Sequence, residues 1–488
     1  MLDVVIIGCG IVGAAAAYEL SKYRLSIAVL DKENDVAAGV TKANSAIIHA
    51  GYDPEPGTLM ARSNVEGRRL AAELCKKLDV PHRQCGSLVL AFSDEDQRHL
   101  RQLYDRGIRN GVPAMELLTG PQVRTLEPNL SGKVCGALLA PEAMIVSPWE
   151  YALALIETAL RNGVELYLNN EVKTISPAGP HWRITTDQGV FETRFIINAA
   201  GVHSDRIHNM AAPPAFTILP KRGEYYILDK SEGDQVNHII FQCPSVTGKG
   251  ILAAPTVHGN LLVGPNSEDP QDKEDTATTA KGLAEVAAAA RRSLPGLKLQ
   301  AGIRNFSGIR AVADEKDFIV REAQGAPGFF DLAGIKSPGL SAAPAIALLA
   351  LELLRGRGLG GEPKETFIDT RRRVRFAELS PGEKAALIKS NPAYGQVLCR
   401  CETVTEGEVL DALGAPIPPR TLDAVKRRCN PGMGRCQGGF CGPRIMELLA
   451  DHFNVDPAEI TQDTRGTFIL TGKTGSPGRV KEEVSYAV

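Results

Sequence analysis

The chain has 488 residues, enough for two or three domains around a large core. Its 43% hydrophobic content and formal net charge of -2 are those of an ordinary soluble globular protein, and the charge balance gives no support for a nucleic-acid partner. No uninterrupted apolar run reaches the roughly 18 residues of a membrane span; Leu340 to Leu354 is broken by Pro344 and reads as a buried helix. From the N-terminus, residues 2–7 (LDVVII) are expected as a buried strand, which leaves no room for a signal peptide. A cytoplasmic location is therefore expected, where disulfides are disfavoured and clustered thiols point to metal or redox chemistry.

Gly8-Cys9-Gly10-Ile11-Val12-Gly13 follows as a G-x-G-x-x-G, leading into an Ala-rich helix over Ile11 to Tyr23. A second strand, Ser26 to Leu30, ends at Asp31. In such a unit Gly8 makes the tight turn, Gly10 lets backbone approach a pyrophosphate, and Gly13 lets helix and strand pack closely. The helix N-terminus offers free N–H groups to the phosphates, and the acid about twenty residues on can take the ribose hydroxyls. The motif by itself leaves FAD and NAD open. Two more Gly-punctuated strand ends lie downstream: Arg194 to Ala200, followed by Gly201 and Asp205, and Gly328 to Gly334, which runs into Ser337-Pro338-Gly339 and a helix.

With these three segments the sequence resembles the FAD-dependent amine and hydroxy-acid oxidoreductases of the D-amino-acid oxidase superfamily. The resemblance implies an α/β fold: a Rossmann-like FAD-binding domain carrying an inserted α+β substrate domain, with the last helix aimed at the flavin pyrimidine ring. It implies cofactor contacts at Gly8, Gly10, Ile11, Val12, Gly13, Asp31, Lys32, Asn44, Ser45, Val172, Ala200, Gly201, Gly308, Gly334, Gly339 and Leu340. The FAD-binding domain is expected at 1–80, 145–205 and 301–355, and the substrate domain at 81–144 and 206–300. Within the latter, Gly223 to Leu228 and Gly250 to Ala254 read as strands and Lys281 to Ser293 as an amphipathic helix.

Residues 41–57 read TKANSAIIHAGYDPEPG. His49 stands among Ala46, Ile47, Ile48 and Ala50, so on its own it fits a core histidine as well as a base. The segment resembles the Ser-x-x-x-His-x-Gly stretch of the glycerol-3-phosphate and L-2-hydroxyglutarate dehydrogenase branches, which implies that His49 takes a hydroxyl proton as hydride leaves carbon. Tyr52 joins the expected substrate contacts. Ser307-Gly308-Ile309-Arg310 resembles the G-[IV]-R of the same branches, whose arginine holds the substrate anion through two parallel hydrogen bonds. Lys336 is expected to assist, and Arg222 to face the substrate; for both, a solvated surface charge is the alternative.

Residues 356–395 are expected as a linker and 396–455 as a separate unit, followed by a tail over 456–488 with a short strand at Thr467 to Leu470. The unit carries Cys399-Arg400-Cys401, then 34 residues, then Cys436-x4-Cys441. Thr405-x-x-Glu408 is a capping box for a helix through Leu413, Thr421 to Arg428 suits a second helix, and Pro443 opens a third with Ile445, Leu448, Leu449 and Phe453 on one face. Zinc sites prefer C-x2-C pairs. The pattern resembles the helical [2Fe-2S] domain of bacterioferritin-associated ferredoxin, which implies Cys399, Cys401, Cys436 and Cys441 as ligands and Cys429 as a bystander. Helix N-termini at Thr405 and Pro443, with Arg400, Arg435 and Arg444, would then stabilise the anionic cluster or dock an acidic partner. Cys9, Cys75, Cys85, Cys135 and Cys243 read as buried apolar residues.

Together these resemblances imply an FAD-dependent dehydrogenase that oxidises sn-glycerol 3-phosphate at C2. Electrons would pass through the cluster to a partner subunit or quinone-linked carrier, with membrane contact only through such partners. L-2-hydroxyglutarate oxidation, an electron-transfer subunit, and amine oxidation of the sarcosine type are the alternatives.

Overall fold

The computed structural model describes residues 1–244 and 250–472. They form two compact units, Met1–Arg372 and Arg373 onward. The first is built on a parallel sheet whose strands run Glu165–Tyr167, Ile27–Leu30, Leu2–Ile7, Val190–Asn198 and Phe329–Ala333 across its width. The central strands are apolar on both faces because helices cover both. The first helix, Ile11–Leu20, stops three residues short of the expected Tyr23. A hairpin, Val172–Ala178 with His181–Thr186, pairs along the N-terminal half of Val190–Asn198.

Asp331, in the last parallel strand, is 1% exposed. Its carboxylate accepts from Asn198 Nδ2 and faces His208 Nδ1, both at 2.7 Å, which ties two strands and the helix Ser204–Ala211 together. The helix Gly339–Gly356 is long and apolar enough to cross a membrane by length and composition, yet more than half of it is buried inside the fold. It packs against Ile11–Leu20 and Leu59–Lys77.

The second sheet has eight strands and is antiparallel except where Ile239–Gln242 lies beside Ser87–Ala91. Its edge pair is Ile218–Leu228 with Gly302–Ala313. Both strands are longer than the sequence suggests, and the second was expected in the FAD-binding domain. The long pairing along Ile218–Leu228 draws it into the substrate sheet instead. The amphipathic helix forms over Ala280–Ser293 and packs behind this sheet.

The expected linker 356–395 is divided between the units at Arg372. Its first part belongs to the first unit: Pro363 bridges to Tyr23, and Arg371 pairs with Glu157 of the helix Pro148–Arg161 at 2.7 Å, with both side chains at most 4% exposed. The rest contains a capped helix, Pro381–Ser390. The second unit continues with a short hairpin, Val397–Cys399 and Val404–Thr405, and the helices Glu406–Leu413, Leu422–Cys429 and Gly442–Phe453. Thr467 to Leu470 is not a strand, since only Phe468 forms a bridge, to Thr461. The tail beyond Gly472 lies outside the described residues.

Replacing Glu157 by alanine strands the Arg371 guanidinium in an apolar setting. A loss of about 3 kcal/mol is expected, read as a lower urea midpoint for the first unit, with Arg371→Met less damaging than Glu157→Ala.

Candidate functional site

Four loops leave the C-terminal ends of parallel strands at Gly8, Asp31, Ala199 and Gly334, the edge where α/β sheets bind ligands. Direct contacts draw the first three together. A Cβ on Gly13 would sit 1.9 Å from the Gly8 carbonyl oxygen, so only glycine lets the helix start this close to the strand. Gly8 in turn abuts the Ala199 carbonyl. Cys9 N–H donates to Asp31 Oδ2 at 2.6 Å, and Ile11 N–H donates to Thr41 Oγ1 at 2.9 Å. The first turn of this helix has no acidic residue, and its N-cap, Gly10, has no side chain to occupy the N–H groups. An anion fits there, as a pyrophosphate requires. Burial pushes the Asp31 carboxyl up to about 6, against the Glu33 and Cys9 N–H groups that lower it.

Some of the expected cofactor residues have other work. The Asn44 side chain closes its own turn: Nδ2 donates to the Val40 and Thr41 carbonyls and Oδ1 accepts from Ala46 N–H. Lys32 pairs with Glu274 at 2.6 Å. Gly308 faces not open space but the Ala43 carbonyl, 1.9 Å from where a Cβ would lie. Val172 is buried with Val5, Ile7, Ala28 and Leu30. Gly201 and Gly334 take left-handed φ values of 58° and 64° at their turns. Gly339 and Leu340 open the last helix, whose first turn carries no acid.

His49 follows the two-residue strand Ile47–Ile48. Its backbone N–H donates to Ser341 Oγ at 2.7 Å and its carbonyl accepts from Asn64, which fixes it between two helices. The ring stacks on Phe241 with centroids 5.6 Å apart, and Nε2 lies 3.4 Å from Ser337 Oγ. His49, Tyr52, Asn64, Ser337 and Pro338 line one pocket. Tyr52 itself is 6% exposed. Lys336 lies in the same 334–339 loop, half-buried.

The edge strands separate the two arginines. In antiparallel pairing Lys221 stands opposite Arg310, Gly223 opposite Gly308 and Tyr225 opposite Phe306, so these share a face. Tyr225 and Phe306 stack there at 4.7 Å, and burial raises the Tyr225 hydroxyl's pKa, against nearby Arg310 and Ser45 that lower it. Arg310 Nη2 also donates to the Asn266 carbonyl at 3.1 Å, and among the described residues it meets no carboxylate. Arg222 corrects the expectation. One residue along, it points to the other face, where Asp275 at 2.5 Å and Glu224 at 3.7 Å neutralise it. It does not join the face that bears Arg310. Thr41, Tyr225 and Phe241 were missed by sequence reasoning. Alternation from Gly223 places Tyr225 beside Arg310; Phe241 carried no local signal.

Around Lys32, three successive charges of the 268–277 segment reach different elements. Lys273 pairs with Asp205, Glu274 with Lys32 and His203, and Asp275 with Arg222.

In the second unit, Cys401 Sγ and Cys436 Sγ are 3.6 Å apart. The Cys441 thiol beside Cys399 holds Cys399 below the ordinary thiol value, and Cys399 in turn raises Cys441. Backbone N–H groups of Glu402 and Gly432 reach Cys399, and those of Gly438 and Phe440 reach Cys436. A Cβ on Gly434 would lie 2.3 Å from that of Cys401, so a glycine is needed to bring the loop onto the hairpin. This four-thiol cradle with N–H donors fits an iron–sulfur cluster. The Cys429 thiol, in the same buried core as Cys399 and Cys441, donates to the Val425 carbonyl. The helix expected to help from Thr405 does not present a free positive end: Glu406 and Glu408 occupy its first turn. Gly442–Phe453 does, with Cys441 as its N-cap and no acid in the first turn. Arg444 is paired with Glu406 and Glu447, and Arg400 lies over the Phe440 ring. Cys85 and Cys135 are only half-buried.

Residues 3–353 match the family of FAD dependent oxidoreductases. The chain belongs to this family. Residues 397–451 match the BFD-like [2Fe-2S] binding domain, so this FAD-dependent oxidoreductase carries a second redox group in its C-terminal unit. It is 48% identical to a glycerol 3-phosphate dehydrogenase of Caloramator mitchellensis, over 98% of this chain and 99% of that one. An L-2-hydroxyglutarate dehydrogenase of Escherichia coli is 33% identical over 55% of this chain and 64% of its own length. Among solved structures, the FAD-bound L-alpha-glycerophosphate oxidase of Mycoplasma pneumoniae superposes with a TM-score of 0.73 at 31% identity, over 76% of this chain and 98% of that one.

If a ribose hydroxyl of FAD donates to Asp31, it would favour the carboxylate and lower its pKa from about 6. FAD binding would then release a proton, and affinity should fall as pH drops through about 6. Titration of FAD into apoprotein between pH 5 and 7.5 should show this slope, and Asp31→Asn should flatten it.

Proposed function

We propose that this oxidoreductase oxidises sn-glycerol 3-phosphate to dihydroxyacetone phosphate. The observation that carries the reading is Arg310: a half-buried guanidinium on the face beside Ser45, held by a carbonyl and a tyrosine and met by no carboxylate among the described residues. A cation so placed favours an anionic ligand. Full-length identity to a glycerol 3-phosphate dehydrogenase supports phosphate as that anion.

FAD supplies the acceptor for the hydride from C2. His49, held by Ser341, Asn64 and Phe241, is the base for the C2 hydroxyl proton. Arg310 holds the phosphate, Tyr225 orients Arg310, and Lys336 adds positive charge from the 334–339 loop. Oxidation thus separates one hydride from carbon and one proton from oxygen, leaving a ketone. When bound, the C-terminal cluster would supply single-electron carriage from the reduced flavin to a protein or quinone-linked acceptor, a role the two redox groups in one chain support. The reduced thiols this requires suit the cytoplasm.

Arg310→Ala should raise KM about 100-fold, the loss of roughly 3 kcal/mol from charged hydrogen bonds. His49→Gln should lower kcat by about 100-fold or more while KM changes little. Anaerobic stopped-flow should show flavin bleaching by glycerol 3-phosphate, then loss of cluster absorbance. Faster bleaching by L-2-hydroxyglutarate would overturn the substrate assignment, and bleaching by neither would favour a relay subunit.

A further inference from the structure

The four cluster cysteines are unlike in two respects. Cys399 and Cys441 are each 1% exposed and sit in the apolar core of the second unit with Leu398, Val404 and Ile445. Cys401 and Cys436 are exposed. The exposed pair is also the close pair, at 3.6 Å. Two thiolates on one tetrahedral metal ion, each about 2.3 Å from it, stand about 3.8 Å apart. Thiolates on adjoining irons stand farther. The Cys401–Cys436 separation suits ligands to a single iron, which leaves the two buried thiols, Cys399 and Cys441, for the other.

We propose that the ligands are crossed between the two motifs. Cys401 and Cys436 hold an outer iron, Cys399 and Cys441 an inner one, and the outer iron is the one reduced. Adjacency in sequence suggests the opposite, that Cys399-x-Cys401 grips one iron. The fold favours the crossing: the glycine contact at Gly434 lays the 434–436 turn on Cys401, while Cys441 sits in the core as the N-cap of its helix.

The choice of iron follows from solvation. One added electron converts one ferric ion to ferrous, with no bond broken and no proton taken up, and makes an already anionic group more so. That charge is better solvated at the exposed pair than in the core. In solution the electron comes from dithionite, and in turnover from reduced flavin. The inference rests on the iron–sulfur assignment and not on the substrate.

The test is Mössbauer spectroscopy of the full-length protein loaded with 57Fe and reduced with dithionite. Cys401→Ser and Cys436→Ser should each alter the ferrous doublet and leave the ferric one. Cys399→Ser and Cys441→Ser should do the reverse. If Cys399→Ser and Cys401→Ser alter the same iron, the crossed pairing is wrong; if the ferrous doublet follows the buried pair, the site of reduction is wrong. Serine variants can fail to assemble, so the wild type provides a second reading. Cysteine β-proton signals sensing the ferrous ion should broaden more with a soluble paramagnetic agent than those sensing the ferric ion, and the reverse would overturn the proposal. A wild type that binds no iron would remove the cluster assignment itself, whether or not glycerol 3-phosphate bleaches the flavin.

Discussion

The proposed substrate site of the first unit depends on one backbone meeting another. Gly308 lies against the Ala43 carbonyl so closely that a single methyl group would force them apart. This contact seats the edge of the substrate sheet on the loop that continues to His49. With it in place, Tyr225 stands near both Ser45 and Arg310, which come from separate stretches of the sequence. The glycine thus serves the geometry of the site without needing to touch a ligand.

Charge accounting then decides which cations are available. Arg222 and Arg310 lie opposite each other's neighbours on paired strands and look alike in sequence. Pleating turns one toward Asp275 and Glu224 and leaves the other without a carboxylate. The same logic operates at the cluster. Acids close the first turn of Glu406–Leu413, whereas Gly442–Phe453 presents its positive end at Cys441.

Much of this was legible in the chain. The G-x-G-x-x-G turn, the parallel strands ending at Asp31 and Gly201, the capping box at Thr405 and the cysteine spacing all express local geometry, and each formed. What was not legible depends on long-range pairing. Strand alternation is visible in KRGEYY, yet which face meets the flavin side is set only when Gly302–Ala313 joins the sheet. Asn44 is expected as a cofactor contact from the resemblance of its segment, but its short amide side chain satisfies its own turn. The linker failed for the opposite reason: Gly-rich basic sequence reads as loose, while Arg371 finds a buried partner over two hundred residues away.

The segment around Lys273 has the marks of a loop that varies freely between relatives: polar, exposed and without regular structure. Its three consecutive charges, however, each answer a different element of the fold. Individually such contacts contribute little. Their register does more. Removing one residue ahead of them displaces all three and brings Glu274 to Asp205, and adding one brings Lys273 to Lys32, like charge against like in either case. Length, not composition, is the property of this loop that the structure constrains, so sequence drift there should substitute charges in place while leaving the residue count alone.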